Sequence, residues 1–298
     1  MEETKKNWGL SNLVLKIIAC VTMTLDHIGV VIKDNNETLA YIFRICGRIA
    51  LPIFILLLIE GLTHTKNIKK YLLRLAISAG FLYIAMTLIQ FIGITQFGIN
   101  GNIFIDLTLL VLCYIFLFKF EGKKRLLVIL PLLYFVGSFV IKILYWFDYI
   151  FLFSAANSLL CEYDIIAPVL FFIIIFGYNI YDKKIAKAAN NNLEVINEFK
   201  TTQRYQISKN AIASISVAII TIICYCLTYV SDYANVISWY TDCALQSYML
   251  ISAVFILFYN GKLGKHNKVI QYSFYIYYPL HLLLIYGIYE IVLLIIGG

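Results

Sequence analysis

Nine apolar stretches dominate this chain, over 12–32, 39–61, 71–92, 103–118, 126–146, 165–181, 211–230, 236–259 and 271–296. At about 1.5 Å of rise per helical residue, each crosses or nearly crosses a hydrocarbon core of about 30 Å. Backbone groups inside lipid must bond within the protein, so an apolar run of this kind folds as a helix. The predicted fold is all-α, a polytopic transmembrane helix bundle of about nine spans. A tenth is added if the stretch 147–164, apolar but carrying Asp148, Glu162 and Asp164, is re-entrant or interfacial. A soluble domain is excluded by composition: 61% of the 298 residues are hydrophobic and 14% charged, against about 45–50% and about 25% in soluble domains. The chain is read as one integral membrane domain over 1–298.

Basic residues set the predicted orientation. With the N-terminus in the cytoplasm, the inner segments hold Lys5, Lys6 and Lys16, then Lys66, Lys69, Lys70 and Arg74, then Lys119, Lys123, Lys124 and Arg125. Six more lie between Lys183 and Lys209, and Lys262, Lys265 and Lys268 follow. Of the 24 basic residues, this leaves Lys33 and Lys142 for the outer side and Arg44 and Arg48 within a span. Such asymmetry is the positive-inside pattern of a multi-pass protein of the cell membrane. It also accounts for the net charge of +7 without a nucleic-acid partner. The polar stretch 182–210 is read as a cytoplasmic connector.

The first two spans carry charge where lipid disfavours it. Asp26 and His27 lie in the first, Arg44 and Arg48 in the second. A charged side chain at the bilayer centre costs roughly 2.5–3.5 kcal/mol on insertion scales, so such residues mark a functional site by default. The short loop 33–38 places His27 and Arg44 at similar depth. Arg44 and Arg48 are four residues apart and share a helix face, with Pro52 predicted to kink the same helix. Two guanidiniums on one face call for an anion, which Asp26 or a ligand phosphate or carboxylate supplies. His27 is the natural proton carrier. The plain alternative is a structural ion network tying two helices.

Other polar groups extend the candidate site. Lys16, Cys20, Met23 and His27 fall on one helical stripe, with Lys16 about 16 Å from His27 along the axis. An anionic cofactor head at Lys16 would thus have its reactive end near His27. The run Glu60-Gly61-Leu62-Thr63-His64-Thr65, followed by Lys69, Lys70 and Arg74, forms a basic mouth suited to phosphates or an ordinary positive-inside loop. In the last span Tyr278, Pro279 and His281 sit mid-membrane, and Asp106, Asp242 and Glu290 are intramembrane acids with no partner assigned. The seven cysteines lie mostly in apolar runs and form no C-x-x-C pair, so no metal site is read.

Three segments together resemble the TraX family, named for a conjugation-system protein that acetylates the pilin N-terminus and similar to the broader multi-span membrane acyltransferases. They are LKIIACVTMTLDHIGVV (15–31), FRICGRIALPIFILLLIEGLTHTKNIKKYLLRL (43–75) and YSFYIYYPLHLLLI (272–285). The resemblance implies an enzyme that moves an acetyl group from acetyl-CoA to an acceptor in the cell envelope, a pilin-like protein or a glycan, with His27, Arg44 and Arg48 at the reacting centre. The chain departs from the family pattern at Ser78-Ala79-Gly80-Phe81, which lacks an acid and a proline, and at Asn102-Ile103-Phe104-Ile105-Asp106-Leu107. The acceptor therefore stays open. Two other classes also stand: a transporter or flippase, since pathways through membranes are lined by charge, and a non-catalytic component of an assembly or conjugation system.

Overall fold

The structure is a computed structural model that describes residues 9–91, 101–146, 149, 154–234, 243–265 and 267–296. Its helices in chain order are α1 (Asn12–Val31), α2 (Glu37–Gly47), α3 (Ala50–His64), α4 (Ile68–Phe91), α5 (Ile103–Phe118), α6 (Ile129–Trp146) and α7 (Ser154–Asn157). They continue with α8 (Ile166–Ala188), α9 (Leu193–Lys200), α10 (Gln203–Ala234), α11 (Cys243–Gln246), α12 (Ile251–Leu257) and α13 (Lys268–Ile296). Short 3-10 segments, Gly122–Val128 and Ser247–Leu250, lead into α6 and α12. Among the described residues 7 helical runs are long and apolar enough to cross a membrane, and Ile103–Phe118 and Ala244–Leu257 are shorter apolar helices. The protein is a multi-pass helical membrane protein, and each predicted span is mostly helical where it is described, with 39–61 broken at Arg48 and Ile49. Leu73, Ile77, Phe81, Ile84 and Leu88 of α4 are exposed along one stripe, as a lipid-facing surface requires.

The chain divides into two compact units: Met1–Leu57 with Phe172–Asn267, and Leu58–Phe171 with Lys268–Gly298. The first is built on a hairpin of α1 and α2. Asn36 closes the turn by accepting the Leu39 N–H at 3.0 Å, a side-chain cap on α2. Two glycines let the helices approach closely. A Cβ on Gly29 would stand 2.9 Å from the Ala40 carbonyl oxygen, and one on Gly47 would strike the Asp26 carboxylate. Small residues at such crossings are how membrane helices gain packing.

The break between α2 and α3 falls at Arg48 and Ile49, upstream of the kink predicted at Pro52. Pro52 has no N–H to give the carbonyl four residues back, which is that of Arg48. The ladder therefore parts at Arg48, and Pro52 sits in the tolerant first turn of α3. The connector 182–210 is also more helical than a polar linker suggests. α8 runs on to Ala188, Asn190 and Asn191 turn the chain at φ 49 and 59, and Asn192 caps α9. Asparagine tolerates the left-handed region because its side chain bonds locally. The N-terminal segment is tied to 258–263 by Leu10 N–H to Phe258 O at 2.7 Å and Asn12 N–H to Lys262 O at 2.8 Å.

In the second unit the irregular segment 158–165 is held by polar side chains from α5, its cap and α6. Asn102, fully buried, caps α5 and donates to the carbonyls of Ala79 at 3.1 Å and Ser158 at 3.2 Å. Asp106 accepts the Glu162 N–H at 2.7 Å and the Tyr163 N–H at 3.1 Å. Ser138 of α6 accepts the Cys161 N–H at 2.9 Å and donates to Asp164 at 2.5 Å. Lys142 pairs with Asp164 at 2.7 Å and donates to the Cys161 carbonyl. Lys142, assigned to the outer side from charge alone, is thus a half-buried partner of a buried acid. Non-helical backbone survives at membrane depth only when protein satisfies it, and Asn102, Asp106 and Ser138 do so here. Asp148, on the same predicted stretch, and Asp242 lie outside the described residues.

Removing one partner of a buried ion pair typically costs about 3–5 kcal/mol, whereas removing both costs less. Lys142→Met is expected to lower thermal stability strongly in detergent, and Lys142→Met with Asp164→Asn to recover most of the loss. Equal melting of the single and double variants would show that the pair contributes nothing.

Candidate functional site

Asp26, His27, Arg44 and Arg48 come together within the first unit. α1 carries the first two and α2 the others, Arg44 in its last turn and Arg48 at its C-cap. Cations near a helix C-terminus meet the partial negative charge of its open carbonyls. Neighbouring residues on a helix diverge by about 100°, so Asp26 and His27 do not share a direction. Asp26 points to the arginines: its Oδ2 takes the Arg48 Nη2 in a short charge-assisted hydrogen bond, and its Oδ1 lies 3.8 Å from Arg44 Nε. Arg48 Nε also donates to the Arg44 carbonyl at 3.2 Å. The side chain of Arg48 is 6% exposed, that of Asp26 13% and that of Arg44 29%. His27 is half-buried on the next position of α1, within electrostatic reach of both guanidiniums.

Lys16 lies on the same helix, half-buried, with Cys20 and Met23 buried between it and His27. The stripe drawn from spacing is therefore a real face of α1. The remaining candidates belong to the second unit. Glu60 is buried inside α3 rather than open at a mouth, and His64 Nδ1 lies 3.7 Å from its Oε2 and 2.8 Å from its carbonyl. His64, Lys69 and Lys70 are exposed; Arg74 is half-buried over the Tyr71 ring at 5.8 Å. Tyr278 donates to Glu162 Oε2 at 2.9 Å. His281 is buried, stacked on Tyr277 at 5.2 Å, with its Nδ1 3.0 Å from the Tyr277 carbonyl.

Sequence reasoning did not find the second polar centre, formed by Ser138, Lys142, Cys161, Glu162, Asp164 and Tyr278 around Asp106. The signal was present: a lysine inside an apolar stretch and acids within the apolar run 147–164. Among the described residues no group of three or more His, Cys, Asp or Glu side chains is arranged to hold a metal ion.

The hairpin makes Gly47 a sensitive position. Any side chain there displaces the Asp26 carboxylate from Arg48. Gly47→Val is expected to destabilise by about 1–3 kcal/mol, the usual cost of overpacking. Gly137→Ala, where nothing lies within 4 Å of the added Cβ, serves as the control and should leave melting in detergent unchanged or slightly raised. A Gly47 variant as stable as the control would remove the steric argument.

The profile of the family described as "TraX protein" matches residues 11–226. A stretch of 70 residues is 36% identical to the probable fimbrial assembly protein FimC, serogroup H1, of Dichelobacter nodosus. That match covers 24% of this chain and 29% of the relative, so the chain spans less than a third of the relative's length. No solved structure matches the chain.

Proposed function

The chain belongs to the TraX family, and from that membership and the charged hairpin of α1 and α2 we propose that it is a membrane-embedded acetyltransferase. It moves an acetyl group from acetyl-CoA to an amine or hydroxyl of a cell-envelope acceptor, in the setting of pilus or fimbrial assembly. The observation that carries this reading is a histidine beside an Asp26–Arg48 pair and a second guanidinium, at membrane depth. These are the groups that acyl transfer uses: a proton acceptor and fixed positive charge where an oxyanion develops.

The nucleophile on the acceptor attacks the thioester carbonyl while His27 takes its proton. The carbonyl oxygen gains negative charge, which a guanidinium of the hairpin meets. The C–S bond then breaks, and the proton held by His27 passes to the leaving thiolate, giving free CoA and the acetylated acceptor. Asp26 keeps Arg48 in place throughout. Lys16, on the stripe that leads to His27, faces the anionic end of the donor. The N-terminus lies in the cytoplasm, where acetyl-CoA is available, and the acceptor is reached from the outer side or from the membrane plane.

A general base contributes about 10²–10⁴-fold in rate. Purified full-length protein with radiolabelled acetyl-CoA and an envelope extract should release CoA and label the extract. His27→Ala should lose at least about 100-fold with thermal melting at the wild-type temperature. Full transfer by that variant would take His27 out of the chemistry. Failure of the wild type to release CoA would leave the transport and assembly-component readings in possession of the site.

A further inference from the structure

Six basic residues lie between Lys183 and Lys209, where α8 and α10 meet the connector, and the fold does not use them alike. Lys200 pairs with Asp182 at 3.0 Å, and Asp182 also takes the Tyr205 hydroxyl at 2.9 Å. Lys209 is buried, over the Tyr178 ring at 4.4 Å and the Tyr205 ring at 5.8 Å. These two cations tie the connector to its helices. The other four, Lys183, Lys184, Lys187 and Arg204, are exposed. Among the described residues no ion pair engages them, and the exposed acids of α9, Glu194 and Glu198, do not pair with them either.

The four sit on lipid-facing surfaces. On α8, Phe176 and Ile180 are exposed, and Lys183, Lys184 and Lys187 follow Phe176 at i+7, i+8 and i+11, along the same stripe. On α10, Ile215 and Ile222 are exposed, and Arg204 precedes them by about three and five turns on the same face. The two helices pack side by side: Tyr181 stacks on Tyr205 at 5.9 Å, and a Cβ on Gly177 would stand 2.6 Å from Ile212 Cγ2. Two apolar stripes therefore end in basic side chains at one end of one helix pair. From Ile180 to Lys187 the helix rises about 10 Å, enough to pass from the hydrocarbon edge through a headgroup layer of roughly 5–8 Å. Leu193 and Val195 of the intervening α9 are exposed as well, apolar surface that lipid covers and a dissolved anion does not.

We infer that Lys183, Lys187 and Arg204, with Lys184 beside them, form a site for the headgroup of an anionic phospholipid whose chains lie along the exposed stripes of α8 and α10. This site is independent of the charged hairpin of α1 and α2. The headgroup phosphate accepts two parallel hydrogen bonds from the planar fork of Arg204. The lysines keep their stems along the apolar stripe and bring their charge to the same layer. Basic clusters just beyond a span attract anionic lipid in this way.

The test uses the purified full chain in maltoside micelles at constant ionic strength, with melting followed by intrinsic fluorescence. Phosphatidylglycerol, phosphatidylcholine and inorganic phosphate are titrated separately. The wild type should gain stability saturably with phosphatidylglycerol and not with the other two. K183Q/K187Q/R204Q should melt near the wild type without lipid. It should need at least about tenfold more phosphatidylglycerol for half the shift, since each basic residue near a lipid surface is worth roughly fivefold. K123Q/K124Q/K265Q, which removes three exposed lysines elsewhere, should respond as the wild type does. If the first triple variant does not fold, K187Q and R204Q are compared singly, each with a loss of about fivefold. Four results would overturn the site: no saturable shift in the wild type, an equal shift with phosphatidylcholine, a wild-type response in the variants at 183, 187 and 204, or an equal loss in the lysine control. An equal shift with inorganic phosphate, lost in those same variants, would overturn the lipid and leave a site for a dissolved anion.

Discussion

An ion inside a bilayer persists only where another charge or a set of hydrogen-bond donors meets it, and the contact between Asp26 and Arg48 is where this chain satisfies that demand first. Much of the first unit's local architecture follows from it. The carboxylate on α1 can reach Arg48 because position 47 has no side chain. The arginine stands at the end of α2 because Pro52 cannot complete the ladder behind it. Gly29 lets the helices close further along the hairpin. Each residue is ordinary alone. Together they fix one acid between two guanidiniums and set His27 at the adjacent position.

The two units solve the same problem with different outcomes. In the second, each acid of the 158–165 region has a donor: Asp106 two backbone N–H groups, Asp164 a lysine and a serine, Glu162 a tyrosine. That network fixes an irregular backbone. In the first, one carboxylate serves two arginines. That carboxylate is shared unequally, with Arg48 buried against it and Arg44 29% exposed.

Much of this was legible in the sequence. Apolar runs of span length gave the helices, because hydrocarbon leaves a backbone few other choices. Four charged residues in the first two spans pointed to one place, because lipid allows no casual charge. The pairing within that place was not legible. Asp26 chose Arg48 through a close approach at Gly47 that depends on how two helices cross, and spacing along one chain does not report crossings. The partners of Asn102 and Asp106 were illegible for the same reason. As a short motif these two residues read as a departure from a family pattern, whereas in three dimensions they grip a segment some 56 residues away. Glu60 and Lys142 show the limit of charge counting, because a basic residue or an acid near a span edge is assigned to water until its partner is seen.

The position of the helix break bears on chemistry as well as shape. Were α2 and α3 one straight helix, the Arg48 carbonyl would be bonded to the turn ahead and the guanidinium would follow the regular four-residue stripe below Arg44. With the break at 48 and 49, Arg48 instead folds back to the Arg44 carbonyl and to Asp26, and Arg44 alone is left half-exposed. A proline four residues beyond an arginine thus makes two cations inequivalent, one buried against Asp26 and one partly exposed. Pro52→Ala tests the connection without touching a charge. If the helix then closes through 48 and 49, the Asp26–Arg48 contact should weaken, and Arg48→Gln should cost less stability in detergent in that background than in the wild type.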